Sequence, residues 1–419
     1  MTKETALDKA YRVIARCREI ARYTEVAGET NRPFLCASAR AVQVLVTKWM
    51  ERAGMSVALD DAGNLRGLYA GESAGGPRLL IGSHLDTVPN AGAFDGVLGV
   101  ALGVAVVEEM HGERLPFAIE VVAFSEEEGV RFARPFLGSM ALVGRLDERV
   151  LALRDRDGVS VESALREFGL NPAGLPSAVA DAGATGFLEV HIEQGPVLES
   201  EGLALGVVEA IVGQTRLLVT FTGRSNHAGT TPMELRQDPV AAAADWIVSV
   251  EKQTRATDGL LATVGRIEAR PGAANVIAGE VVATLDVRHP DDAVRLEAVQ
   301  GLVDFAQQAG ERRGVGVSIE TTMEQAAVPM SRGMTAMLES AARRAGYGAR
   351  RMISGAGHDA MVLAERMPAA MLFLRSPGGV SHAPEERVLV EDVTAAMETV
   401  MELLSMLRDE GTEGLRNDA

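Results

Sequence analysis

Residues 77–112 read PRLLIGSHLDTVPNAGAFDGVLGVALGVAVVEEMHG. The opening run, PRLLIGSH, is short, β-rich and almost uncharged, the pattern of a strand buried on both faces. The closing run, GVLGVALGVAVVEEMHG, reads as a helix, and a second apolar run at 118–124, AIEVVAF, reads as another strand. Strand, helix and strand in that order predict a parallel sheet under helices. Such a sheet holds ligands at the carboxyl ends of its strands.

The chemistry-bearing residues fall at those ends. His84 closes the first strand, and Asp86, one pleat further on, is placed to accept the proton of the second ring nitrogen. Asp95 sits in the glycine-flanked turn Ala93-Phe94-Asp95-Gly96, free to offer both carboxylate oxygens to two cations. The second strand ends in Glu126, Glu127 and Glu128, three acids that need solvation or cations to coexist. Adjacent acids on an extended chain point to opposite sides, so one is expected to bind metal while its neighbour faces the reacting water. LEVHIEQGPVLE carries His191, Glu193 and Gln194 on a further strand into a Gly-Pro turn, and SPGGVSHAPEE carries His382 after a Gly-Gly loop. GRSNHAGTTPM adds Asn226 and His227, and SGAGHDA adds His358 and Asp359. A lone histidine is more often structural than a ligand, but these clusters recur, and together they point to a metal centre.

Composition restricts the partners. Of 419 residues, 47% are hydrophobic, enough for sizeable cores in two or three domains. Lys+Arg 41 against Asp+Glu 58 gives a net charge of -17, which repels nucleic acid and anionic lipid. No apolar stretch approaches the ~20 residues of a membrane span, and a cytoplasmic enzyme acting on small molecules is expected. The two cysteines, Cys17 and Cys36, match no metal-ligand spacing and read as buried reduced thiols.

Helical spacing covers ALDKAYRVIARCREIARYT and SARAVQVLVTKWMERAG, the latter with Ser38 as its cap, and VALDDAGNLRGLYAG reads as a hairpin around Asp61 to Asn64. The rhythm changes near residue 213. From Gln214 the elements run strand, helix, strand, strand, helix, strand, a βαββαβ unit able to close its own core. The fold class is therefore α/β, a mixed, largely parallel sheet with helices on both faces, plus an inserted ferredoxin-like domain. The expected division is 1–213 with 328–419, and 214–327. The terminal DEGTEGLRNDA is expected to fray. His111 is expected to cap the end of an amphipathic helix, and His289 to flank Arg288 without catalytic work. In isolation, Arg288 would pair with Asp286 or Asp291.

The strings GSHLDTV, FDG, EEEGVRF, HIEQGPVLE, VGQ, SNHAGTTPM, NVI, SGAGHDA and GVSHAPEE, in this order, give the chain a resemblance to the carbamoylase and allantoate amidohydrolase branch of the M20 metallopeptidase-like family. The resemblance implies one divalent cation held by His84, Asp95 and His191, and a second held by Asp95, Glu128 and His382. It makes Asp95 the bridge between them and Glu127 the general base, and assigns Glu126 no role. Zn or Mn suits these donors, with Co or Ni as alternatives. The resemblance also implies that Gln214, His227, Asn275 and Arg288 surround the substrate, Arg288 gripping a carboxylate and His227 steadying the oxyanion. Apart from the resemblance, the Gly355-Ala356-Gly357 turn allows close backbone approach to a ligand, so Gly357 and His358 are expected as further substrate contacts. Relatives dimerise through the inserted lid domain, so a homodimer is expected, with His227 acting in its own site or its neighbour's.

The expected reaction is cleavage of the ureido C–N bond of a small carboxylate, releasing ammonia and carbon dioxide. Allantoate is preferred and N-carbamoyl-L-amino acids are the alternative. A peptidase or deacylase would carry an acid where His191 stands, and a silent scaffold would be missing a ligand or the base.

Overall fold

The structure is a computed structural model and describes residues 5–412. Before the insertion the strands are β1 (Ser56–Leu59), β2 (Leu65–Tyr69), β3 (Arg78–His84), β4 (Ala118–Phe124), β5 (Ala184–Ile192) and β6 (Leu205–Ile211). Then come β7 (Gly213–Thr222), β8 (Asn226–His227), β9 (Leu261–Arg270), β10 (Val276–Ile277), β11 (Glu280–His289) and β12 (Gly316–Gln325). The last three are β13 (Val328–Pro329), β14 (Ala349–Ser354) and β15 (Ala369–Leu374). Two compact units result: one takes the described residues up to Glu209 and from Met330 onward, the other runs from Ala210 to Pro329. The junctions fall a few residues from those expected because β6 and β13 pair where the chain crosses, Val328 opposite Ile211.

In the first unit the strand order is β1-β2-β4-β3-β5-β15-β6. The central four, β4, β3, β5 and β15, are parallel, and antiparallel strands flank them on both sides. The β1–β2 hairpin is closed by Asp60, whose Oδ1 accepts the main-chain N–H groups of Ala62 and Asn64 at 3.0 and 2.9 Å. Helix Val97–Glu109 is buried on every side from Val97 to Val107, between the strands and helices Ala6–Ala21 and Ala37–Arg52. It is thus a core helix and not the amphipathic one expected. His111 follows it in the left-handed region (φ 48), its main-chain N–H on Glu108 O at 3.2 Å. The closure is made by backbone, while the ring is exposed near Glu109.

Two further expectations need correction. Helix Ala37–Arg52 is capped by Cys36, whose Sγ accepts the Ala39 N–H at 3.3 Å; Ser38 lies inside the helix, its N–H on Glu25. A thiol two residues earlier occupies the extended position that a cap requires. At the other end, helix Val390–Glu410 includes Asp409 and Glu410, so the order persists into the stretch read as frayed; residues 413–419 lie outside the described residues. Both cysteines are free, Cys17 buried and Cys36 half-buried.

The second unit has the order strand, helix Pro239–Ala256, strand, strand, helix Asp292–Arg313, strand. Its sheet runs β12-β7-β11-β9, all antiparallel. Alternation does the sorting: Val281, Ala283, Leu285 and Val287 are buried against Ala243, Trp246, Leu302 and Ala306 of the helices. Asp238 before Pro239, and Asp291, cap the two helices with their carboxylates.

Candidate metal centre

All of the expected metal ligands leave the carboxyl ends of the four parallel strands. His84 ends β3, Glu127 and Glu128 follow β4, His191 lies near the end of β5, and His382 follows β15. Register brings the ends together, with His84 opposite Phe124 and His191 opposite Phe373. Asp95 arrives on the loop after β3, just before Gly96 at φ 65. A Cβ on Gly96 would lie 2.4 Å from the His84 ring, so only glycine lets the helix start there.

The ligand atoms of His84, Asp95 and His191 lie within 4.8 Å of one another, as do those of Asp95, Glu128 and His382. Asp95 divides between the groups. Its Oδ1 is 3.1 Å from His191 Nε2 and 3.8 Å from His84 Nε2, while its Oδ2 is 3.1 Å from His382 Nε2. Exposure differs: His84, His191 and Asp95 are no more than 4% exposed, whereas the His382 side chain is 50% exposed.

The tautomers test whether a cation fits. His84 Nδ1 is 3.1 Å from the Asp86 main-chain oxygen, and His191 Nδ1 is 2.9 Å from that of Ile192. A carbonyl only accepts, so each Nδ1 carries a proton, and on a neutral ring Nε2 keeps its lone pair. Both lone pairs face Asp95 Oδ1 inside the protein. Such a group is stable with extra protons on the rings or with a cation, and mixed nitrogen and oxygen donors suit a borderline divalent ion.

The electrostatics agree. Burial opposes ionisation of Asp95, but hydrogen bonds from His191 and His382 hold its carboxyl well below the usual range. Burial and then the Glu128 charge push Glu127 well up, and burial with Asp95 brings Glu128 to about 7. The hydrogen bond to Asp95 lifts His382 to about 8. Glu126 is fully buried and pushed well up by burial and Asp86.

Asp86 differs from its expected role. Its carboxylate accepts the main-chain N–H groups of Glu127 and Glu128 at 3.0 and 3.1 Å and approaches His84 Nδ1 only to 3.5 Å, the Asp86 carbonyl being nearer. It therefore holds the acidic turn as well as the ring. Glu127 and Glu128 were expected to diverge, yet both reach within 4.8 Å of His84. The strand has ended at Phe124, so its alternation no longer governs them.

His358 is 1% exposed, its ring edge-on to His191 with centroids 4.6 Å apart and Nε2 2.9 Å from Ser354 Oγ. Burial drives its pKa well below the usual value. Close approach at Gly357 is made by the Phe136 ring, 2.8 Å from where a Cβ would stand.

Within the second unit, the expected substrate residues form two separate pairs. Gln214 and Arg288 are register partners at one end of the β7–β11 ladder, and both bind Asp286: Gln214 Nε2 at 2.5 Å, Arg288 through Nε at 2.8 Å and Nη2 at 3.1 Å. Arg288 thus pairs with Asp286, the partner expected of it in isolation. His227 and Asn275 lie beyond the other end, where β8 pairs with β10 and the Ala228 N–H donates to Asn275 O at 3.0 Å. From Gln214 to Thr222 is eight residues of strand, about 26 Å, and the β8–β10 ribbon continues beyond it. One copy of this unit does not gather all four. His289 ties the Asp258 and Asp291 main chains.

Three residues without an assigned sequence role belong to the centre. Glu386 Oε1 accepts the N–H groups of Phe94 and Asp95 at 2.8 and 3.0 Å. Glu189 is fully buried, held by Ser83 Oγ and the Ala360 N–H at 2.8 Å each, and its alternation with His191 on β5 was the available signal. Gln194 donates to Asp95 Oδ2 at 3.1 Å. Nothing local announces Glu386, which meets Asp95 across 291 residues.

The sheet is mixed and mostly parallel, a second unit is inserted in its chain, and one carboxylate stands between two histidine-containing groups at its carboxyl edge. The chain belongs to peptidase family M20/M25/M40, whose family model matches residues 80–406. It is 39% identical over 433 residues to allantoate deiminase 2 of Glycine max, covering 94% of this chain and 89% of that one. It is 40% identical over 377 residues to an N-carbamoyl-L-amino acid amidohydrolase of Geobacillus stearothermophilus, covering 89% and 92%. The crystal structure of an amidase of the hydantoinase/carbamoylase family from Burkholderia multivorans superposes with TM-score 0.88 at 33% identity, covering 94% and 97%.

Proposed function

We propose that this protein is a metal-dependent amidohydrolase cleaving the ureido C–N bond of a small carboxylate, with allantoate the preferred substrate. The observation that carries this reading is Asp95, which offers one oxygen to His84 and His191 and the other to His382. Two divalent cations at these positions, Zn or Mn by donor type and Co or Ni as alternatives, would make a water acidic enough to ionise near neutral pH and polarise the carbamoyl oxygen. Glu127, buried and with its proton affinity raised, takes the proton of the attacking water and returns it to the leaving nitrogen. Asp86 holds Glu127 and Glu128 by their main-chain N–H groups, and His358 backs the His191 ring. The products are ammonia, carbon dioxide and the remaining amine.

Gln214 and Arg288 bind the substrate from their own chain, Asp286 orienting the guanidinium. His227 and Asn275 serve the site of a second copy. The ~26 Å separation along β7 supports this, since a small substrate spans no such distance. Dimerisation through the inserted unit is supported by its edge strand β9, which among the described residues pairs with β11 alone and exposes Leu261 and Ile267.

The 40% identity to an N-carbamoyl-L-amino acid amidohydrolase supports that substrate class as the second reading. Ammonia release from allantoate, N-carbamoyl-L-amino acids and N-acetyl-L-amino acids, assayed with protein reloaded with Mn or Zn, separates them. Deacylation confined to the N-acetyl compounds overturns the ureido reading.

A further inference from the structure

Gln194 stands where the turn after β5 meets the loop that carries His382. Its amide nitrogen is 3.1 Å from Asp95 Oδ2, 3.2 Å from Ser381 Oγ and 3.3 Å from His382 Nε2. The carboxylate only accepts, and the Ser381 hydroxyl donates to Glu386 Oε2 at 3.2 Å, which leaves its lone pairs to accept. The two amide hydrogens therefore go to Asp95 Oδ2 and Ser381 Oγ. Turned over, the amide would set its oxygen against the Asp95 carboxylate, so this orientation is the favourable one.

The backbone is held so that this contact forms. Gln194 (φ 59) and His382 (φ 54) both occupy the left-handed region that non-glycine residues rarely adopt. Cross-ties hold the two segments together: Gln194 N–H on Ser376 Oγ at 3.0 Å, Glu193 N–H on Leu374 O at 2.7 Å, and Gly378 N–H on Glu199 Oε2 at 2.8 Å. A cation held by Asp95, Glu128 and His382 needs electron pairs of Asp95 Oδ2 and His382 Nε2. Those are two of the three atoms around the Gln194 amide.

We propose that Gln194 is a placeholder at the second cation position, its amide resting on Asp95 Oδ2 beside His382 and turning away when a cation binds there. The inference rests on the dinuclear reading above. The N–H on Asp95 Oδ2 stands in for part of a cation's charge and the one on Ser381 Oγ fixes the amide there, so that the bridging carboxylate stays paired while its other oxygen serves His84 and His191. Loading of the exposed position then competes with an intramolecular hydrogen bond. The buried position has no side-chain amide on Asp95 Oδ1 among the described hydrogen bonds. The protein is thus built to keep one cation and exchange the other.

The test is calorimetric titration of the demetallated full-length protein with Mn, with bound metal counted by elemental analysis, for wild type, Gln194→Ala and Ser381→Ala. In Gln194→Ala the second binding step tightens by about tenfold, the scale of one hydrogen bond to a charged group, while the first is unchanged. Ser381→Ala removes one of the two acceptors and tightens the second step by a smaller factor. A second step that is unchanged or weaker in Gln194→Ala overturns the placeholder. If circular dichroism shows that Gln194→Ala is unfolded, Ser381→Ala decides by the same criterion. One cation in wild type and two in Gln194→Ala supports the placeholder in its strongest form. One cation in every variant overturns the dinuclear reading and the placeholder with it, whereas two equal steps in all variants overturn the placeholder alone.

Discussion

Glu386 Oε1 accepts the main-chain N–H of Asp95 at 3.0 Å, so a residue near the carboxyl-terminal helix sets the backbone of the shared carboxylate. The same oxygen takes the Phe94 N–H at 2.8 Å. Glu386→Ala leaves two buried N–H groups unpaired and frees the Asp95 loop. Metal affinity is expected to fall about 10- to 100-fold, with a lowered melting temperature but a folded protein. Metal titration with thermal melts measures both, and wild-type affinity in the variant removes Glu386 from the centre.

Glu127→Gln keeps the size and the ligand set but cannot hold the transferred proton. It should retain its metal content and lose about 10²- to 10⁴-fold in kcat. Asp95→Asn, by contrast, should lose both cations, because one amide oxygen cannot serve both groups. Elemental analysis beside steady-state assays separates the two, and full turnover by Glu127→Gln would end its role as base.

Metal loading should be coupled to protons. His382 is raised to about 8 by its hydrogen bond to Asp95, and Glu128 to about 7 by burial. Below pH 7 both are largely protonated and a cation must displace those protons; above pH 8 neither is. Affinity at the Asp95–Glu128–His382 position should therefore fall as pH drops from 8 to 6. At pH 7 about one to two protons should be released. Calorimetry in buffers of different ionisation enthalpy counts them, and a pH-independent affinity across that window contradicts the assignment.

If His227 serves a second copy, two inactive variants should rescue each other. Mixed His227→Ala and Arg288→Ala chains form heterodimers with one intact site and one doubly altered. Statistical exchange then restores about a quarter of wild-type activity. No recovery after subunit exchange, verified by tagged chains, would mean that each site is complete within one chain.

The parallel strands and the ligands at their ends were legible because both are local properties. Buried strands read as apolar runs; His84 and His191 stand at a run's end, Glu128 in the acidic turn past another, and His382 on the Gly-Gly loop that follows the last. The substitution of Cys36 for Ser38 as the cap was not legible, since either residue type can accept the N–H and only the backbone angle at 36 decides. The amphipathic reading of helix Val97–Glu109 failed for the opposite reason. Charges at its last turn imitate a polar face, while the body is enclosed on all sides.

By itself the sequence determined the order of elements, the inserted unit and the types of donor atom, because periodicity and residue chemistry act over a few neighbouring positions. Tertiary structure alone decided that Asp95 splits its oxygens between two groups, that Glu386 and Gln194 hold it, and that Arg288 lies at one end of the β7–β11 ladder while His227 lies beyond the other, on the β8–β10 ribbon. Those relations join residues tens to hundreds of positions apart. They depend on strand register and loop closure, which no local pattern encodes.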